Sequence, residues 1–224
     1  MRMSANGKTW DDVLGCGYKL ETPDSHVTEL VPFFKAAGVD RVLDLGCGLG
    51  RHFRHLGTHG FRIVGIDISR KAVKSAQLAS PRKGCLLRAD MANLPFKTNA
   101  FDVIISWRVV HLARRGAIMQ TISEIKRILK PGGFFYCSLR STANTLYEIG
   151  RQTGTEIEPN TFVMGSGSLE GLIYHFFSAE EARQLLSEGM ETLQFYETEL
   201  EHTEYTVGYE NLRNMFHVFL GRKL

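Results

Sequence analysis

Short apolar runs alternate along the chain with longer stretches whose apolar residues recur at helical spacing. Residues 41–45, 62–66 and 101–107 are rich in β-branched and aromatic side chains and predict buried strands, as does 133–139. Between and around them, 24–37, 50–58, 69–79 and 113–129 predict helices. Ser69 is placed to cap its helix, and Lys130, Pro131, Gly132 and Gly133 stop the last one and turn the chain into a strand. Repeated strand–helix units predict an α/β fold with a mostly parallel, doubly wound sheet, helices on both faces and right-handed crossovers.

After Leu139 the periodicity weakens. Residues 141–175 hold five glycines, scattered Thr and Ser, and Pro159, with a short helix expected only over 145–150. Segment 141–177 therefore reads as an insertion, a lid or substrate-binding element after the fifth strand. Helical order returns at Ser178, which with Glu181 has the spacing of a capping box, and 192–199 and 214–220 predict two closing strands.

Composition narrows the class. The chain has 224 residues, 43% hydrophobic and 23% charged, which suits one soluble α/β domain over 1–224. The net charge of +3 is spread out, with Arg114 and Arg115 the nearest thing to a basic cluster, so no nucleic-acid partner is expected. No segment approaches the roughly 20 apolar residues of a membrane helix. Cys16, Cys47, Cys85 and Cys137 form no C-x-x-C pair, which points away from a zinc site or disulfide framework and toward a reducing cytoplasm. No metal is expected, and the oligomer is expected to be a monomer or homodimer.

The chemistry concentrates at a turn. Gly46, Gly48 and Gly50 follow a strand and precede a helix, at the carboxyl edge where open α/β sheets bind ligands. Missing side chains let a ligand approach the backbone, and the helix amino-terminus near Gly50 offers free N–H groups. A dinucleotide fingerprint would need glycine at position 51; Arg51 stands there, which disfavours a nicotinamide oxidoreductase. Asp67 ends the next strand, where a carboxylate can bridge ribose hydroxyls or cap the helix after it. Asp90, after the third strand, can accept from an adenine amino group or serve as an ordinary turn aspartate.

The ordered segments 42–50, 65–68, 89–91, 101–105 and 129–133 resemble the successive motifs of class I S-adenosylmethionine-dependent methyltransferases, nearest to the small type 11 and tellurite-resistance-like enzymes. The resemblance spans about residues 24–140. It implies a Rossmann-like seven-stranded sheet whose last strand, 214–220, is antiparallel. It also implies S-adenosylmethionine as cofactor, with S-adenosylhomocysteine as product. Asp44, Gly46 and Gly48 would line the methionine part, with Cys47 and Gly50 in the same turn. Asp67 would hold the ribose, Asp90 and Met91 the adenine, with Ile68 packed on the ring, and Trp107 would stand near the sulfonium. Trp107 and Arg108 fill slots that are often small or apolar in the family. Residues 1–23, with Trp10 and Tyr18, would form an amino-terminal flap.

Methyl transfer from a sulfonium is an in-line displacement in which alignment supplies much of the rate, and a base is needed only for a protonated nucleophile. His111, Tyr174 and His175 are the catalytic candidates, weighed against plain loop histidines filling space. His52, His55 and His59 share helical spacing and read as an exposed helix face. The function expected is methyl transfer to a small-molecule acceptor. The alternatives are a non-catalytic cofactor-binding regulatory module and, behind it, an NAD-dependent oxidoreductase.

Overall fold

The structure is a computed structural model and describes residues 9–14, 22–80, 84–200 and 212–224. Tyr18, Cys16 and most of the expected flap lie outside the described residues. In chain order the elements are α1 (Trp10–Leu14), α2 (Ser25–Thr28), α3 (Val31–Ala36), β1 (Arg41–Leu45), α4 (Arg51–Thr58), β2 (Arg62–Asp67), α5 (Arg70–Ala79), β3 (Cys85–Arg88), β4 (Phe101–Trp107), α6 (Arg115–Ile128) and β5 (Leu129–Arg140). Then follow α7 (Thr145–Thr153), β6 (Thr155–Glu158), β7 (Thr161–Val163), β8 (Ile173–His175), α8 (Ala179–Ser187), β9 (Met190–Glu199) and β10 (Met215–Lys223).

The main sheet has seven strands in the order β3-β2-β1-β4-β5-β10-β9. The first five run parallel, while β10 is antiparallel to both β5 and β9, so the last strand alone is reversed, as expected. The order reverses between β1 and β4, and the crevice there opens at the carboxyl ends of the strands. One apolar cluster, including Leu43, Ile104, Ile118, Ile125, Phe135 and Leu186, joins the sheet to α6 and α8. A second, with Val27, Phe34, Val42, Phe53, Ile105 and Tyr136, joins the other face to α2, α3 and α4.

Three elements differ from expectation. The single helix over 24–37 is two short ones, because Pro32 in the first turn of α3 has no N–H to continue the hydrogen bonding of α2. Strand β5 begins at Leu129, with residues 130–133 bulging between the pairs Phe101↔Leu129 and Val103↔Phe134. Segment 141–177 carries more than a short helix. It holds α7 and the antiparallel sheet β6-β7-β8, over a core of its own that includes Leu146, Phe162, Leu172 and Phe176 together with Val13 of α1.

Candidate functional site

The turn after β1 is shaped by backbone hydrogen bonds. The amides of Gly46 and Cys47 both donate to the Ile66 carbonyl at 2.8 Å, folding the turn over the end of β2. Gly46 has φ +74°, and a Cβ there would stand 2.5 Å from both methyl carbons of Val109. Gly46→Ala therefore combines left-handed strain with a clash against the Val109 side chain, and a loss of roughly 1–3 kcal/mol is expected in denaturant unfolding. An unchanged midpoint would show that Val109 moves freely. Gly48 (φ +52°) is the opposite case: a Cβ on it would meet nothing within 4 Å, because it faces open space. That space is a cleft of about 1050 Å³, open mouth included.

Asp67 ties the cleft together. Its Oδ2 accepts from the Gly48 amide at 2.9 Å and its Oδ1 from the Ser69 amide at 2.8 Å, so one carboxylate pins the glycine turn and the start of α5 while lining the cleft. The helix-cap role is filled by Ser69 itself, whose hydroxyl accepts from the Ala72 amide at 3.0 Å. Burial pushes the Asp67 carboxyl upward against the pull of those two amides. Asp90 also lines the cleft, and its Oδ1 accepts from the Ala92 amide at 2.9 Å, so the turn geometry and the cleft position coexist.

Of the expected cofactor residues, Gly46, Cys47, Gly48, Asp67, Ile68, Asp90, Met91 and Trp107 come together on the cleft wall. Asp44 and Gly50 do not. Gly50 (φ +82°) caps α4, where a Cβ would press on Ala76 of α5 at 2.9 Å, so its role is close helix packing. Asp44 lies behind the turn, fully buried, with Oδ2 lacking a hydrogen-bond partner. Burial raises its carboxyl to about 7, outweighing Arg51 and the Phe53 amide. An unfolded aspartate ionises near pH 4, so the folded chain holds an extra proton from about pH 4 to 7, and this contribution to stability falls as pH rises through that window. Asp44→Asn is expected to flatten the decline, as read from melting temperatures at pH 5 and 8. Equal slopes would refute the assignment.

The three catalytic candidates do meet where the insertion joins the sheet edge, but none lines the cleft. The β8 backbone hydrogen-bonds onto the loop after β4, with the His175 amide donating to the His111 carbonyl at 2.8 Å. His111, Tyr174 and His175 are all fully buried as a result. His175 is held between two elements: Nδ1 is 2.7 Å from the Thr161 hydroxyl inside the insertion, and Nε2 lies 3.4 Å from the carboxylate of Glu181 on α8. Tyr174 packs in the insertion's own core.

Sequence reasoning missed Arg51, His52 and Leu112, which line the cleft together with Arg108 and Val109 of the segment that carries Trp107. His52 corrects the exposed-face expectation. It is 4% exposed, and its Nε2 accepts from the Asp24 amide at 3.1 Å. Burial holds its ring neutral, well below the ordinary histidine range. Arg108, at φ +63°, donates its amide to the Ser138 hydroxyl at 2.9 Å and its guanidinium to Asp24 at 3.1 Å. Burial raises the Asp24 carboxyl, but Arg108 and other hydrogen bonds more than reverse it, so the net shift is downward. Trp107 stacks between Tyr136 (5.0 Å) and His26 (5.6 Å). In the sequence Asp24 stands only as the first residue of the helix expected over 24–37.

The features fit an extended adenosyl cofactor: a cradle at Gly48 that any Cβ would enter, a buried carboxylate at Asp67, and an aromatic wall at Trp107.

Residues 43–137 match the family described as "Methyltransferase domain". Over 133 residues the chain is 34% identical to the biotin biosynthesis bifunctional protein BioHC of Cellvibrio japonicus, covering 58% of this chain and 26% of that one. Over 109 residues it is 36% identical to the demethylmenaquinone methyltransferase of Symbiobacterium thermophilum, covering 44% and 41%. The chain thus spans less than half the length of these curated relatives. A solved S-adenosylmethionine-dependent methyltransferase of Methanosarcina mazei superposes with a TM-score of 0.71 at 25% identity, covering 83% of this chain and 93% of that one. With the glycine turn, the ordered acids and the reversed last strand in place, residues 43–137 form a methyltransferase domain, and the chain has the fold of S-adenosylmethionine-dependent methyltransferases.

Proposed function

We propose that the chain transfers the methyl group of S-adenosylmethionine to a small-molecule acceptor by in-line displacement. The apolar part of the cleft carries this conclusion: beside the acids, Arg51, His52 and Arg108, its wall includes Trp10, Val13, Leu14, Trp107, Val109 and Leu112, suited to a compact, partly hydrophobic acceptor. Helix α1 supplies three of these residues and is tied down across the cleft by Asp11. The Asp11 carboxylate accepts from the Ser69 hydroxyl and from the Lys71 amide, and Lys71 Nζ donates to the Asp11 carbonyl at 2.9 Å. Such a cover excludes water and holds an acceptor against the wall.

The bound cofactor supplies an electrophilic methyl on sulfur. Asp67 would hold the ribose, Asp90 with Met91 and Ile68 the adenine, and the 46–48 turn with Cys47 the methionine part. Asp44, with its unsatisfied oxygen, would act on that end from behind the turn. Burial keeps the Cys47 thiol protonated, so it presents a neutral surface. Residues 1–23 would act as a flap and 141–177 as a lid within one domain. No described helix is long and apolar enough to cross a membrane, in keeping with action in the cytoplasm.

Incubation with labelled S-adenosylmethionine and parallel panels of small molecules, transfer RNA and protein tests this. Formation of S-adenosylhomocysteine with small molecules alone is expected. Transfer only to a macromolecule would sink the small-acceptor assignment, and tight cofactor binding with complete silence would make the chain a binding module.

A further inference from the structure

Among the described residues, His52 is the one histidine that lines the cleft, and it is the second residue of α4. The side chain is almost wholly buried, and one ring nitrogen is already committed: Nε2 accepts from the Asp24 amide at 3.1 Å. An amide N–H can only donate, so Nε2 carries no proton. Burial, with the charge of Arg51 adding to it, keeps the ring neutral, and the single proton of a neutral imidazole is then on Nδ1. The backbone of Asp24 thus locks the tautomer.

The locked N–H points to a ligand. Nδ1 donates to no described residue, yet it is not one of the sealed, partnerless polar atoms of the interior, so it opens on the cleft. The Asp24 carboxylate does not take this proton, because it is turned to the Arg108 guanidinium at 3.1 Å and to His26 at 3.0 Å. A buried donor that faces a cleft without a protein acceptor calls for an acceptor on the molecule that fills the cleft. The start of α4 favours an anion there, since its first amides and its dipole present positive charge.

We propose that His52 donates Nδ1–H to the methionine carboxylate of the cofactor and so fixes how the amino-acid end of that molecule is turned. This rests on the assignment of the cleft to the adenosyl cofactor, with the ribose at Asp67 and the adenine at Asp90. At the amino-acid end the ammonium group can only donate and is repelled by a fixed N–H, whereas the carboxylate only accepts. Reversal of the ring would set two N–H groups against each other at Asp24, so the donor cannot become an acceptor. Residues 22–24 hold the ring in that orientation, and Arg51 ties the same segment to α4 where its Nη1 donates to the Thr22 carbonyl at 3.2 Å.

Calorimetry on the full chain tests the contact, with S-adenosylhomocysteine and its decarboxylated analogue, which keeps the amine, as the two ligands. His52→Gln can still accept from the Asp24 amide through its side-chain oxygen but lacks the donor at the Nδ1 position. S-adenosylhomocysteine is expected to bind this variant roughly tenfold to a hundredfold more weakly than the parent, the scale of a charge-assisted hydrogen bond, while the analogue changes by less than about threefold. Equal weakening of both ligands would make the histidine merely structural, and unchanged binding of both would leave the carboxylate to other donors; either overturns the proposal. Nitrogen NMR of isotope-labelled histidine in the parent chain reads the donor directly. Nδ1 should be the protonated nitrogen at neutral pH, and its resonance should move further with S-adenosylhomocysteine than with the analogue. The opposite tautomer, or equal movement with both, refutes the contact. Failure of S-adenosylhomocysteine to bind the parent would bring down the cofactor assignment as well, whereas its binding with no preference over the analogue refutes the His52 contact alone.

Discussion

Asp24→Ala is expected to lower folding stability by about 3–5 kcal/mol, the scale of breaking a buried ion pair from one side. The Asp24 and Arg108 side chains are only 7% and 5% exposed and meet at 3.1 Å. Asp24 also caps α2, accepting from the His26 amide at 3.2 Å and lying 3.0 Å from His26 Nδ1. Its own amide donates to His52. Removing the carboxylate releases the cap and leaves Arg108 without this counter-charge beside Phe216 and the cleft. Asp24→Asn keeps the cap oxygen and should recover about 1 kcal/mol of the loss. Urea unfolding followed by circular dichroism reads both variants. A loss under about 1 kcal/mol for alanine would mean that solvent reaches the pair freely.

Asp67→Ala should weaken S-adenosylmethionine binding by about tenfold to a hundredfold, on the order of 1–3 kcal/mol. Two effects add. The ribose contact is lost, and the Gly48 and Ser69 amides lose the acceptor that holds the turn against α5. Asp67→Asn separates them: its single amide oxygen can satisfy only one of the two amides, so an intermediate affinity is expected. Calorimetric titration of the three proteins decides the matter. Unchanged affinity in the alanine variant removes Asp67 from the cofactor site.

Much of the site rests on features that are local in the chain. Each of the segments 41–45, 62–66 and 101–107 is apolar on both faces, which is the mark of a parallel strand covered by helices. Asp67 and Asp90 stand where such strands end. The turn at Gly46 and Gly48 needs positive φ, and glycine announces that need directly. Ser69 and Ser178 cap helices through bonds to residues three positions on. Period, turn chemistry and caps are all encoded within a few residues, so the sheet, the order of its motifs and the acids at its edge could be read in advance.

Orientation is another matter. His52 and His111 look alike as loop-edge or helix histidines, yet one lines the cleft and the other turns its ring inward onto Phe216, which sits on the last strand. Arg108 and Asp24 are 84 residues apart, and no spacing rule joins them. The sheet β6-β7-β8 forms from weakly patterned strands because Phe162, Tyr174 and Phe176 bury one another. By itself, then, the sequence determined the doubly wound sheet, the glycine turn and the acids along its edge, because each depends on residues adjacent in the chain. Only the tertiary structure decided which polar side chains face the cleft and which stay sealed behind it, because packing between distant elements sets the direction in which a loop residue points.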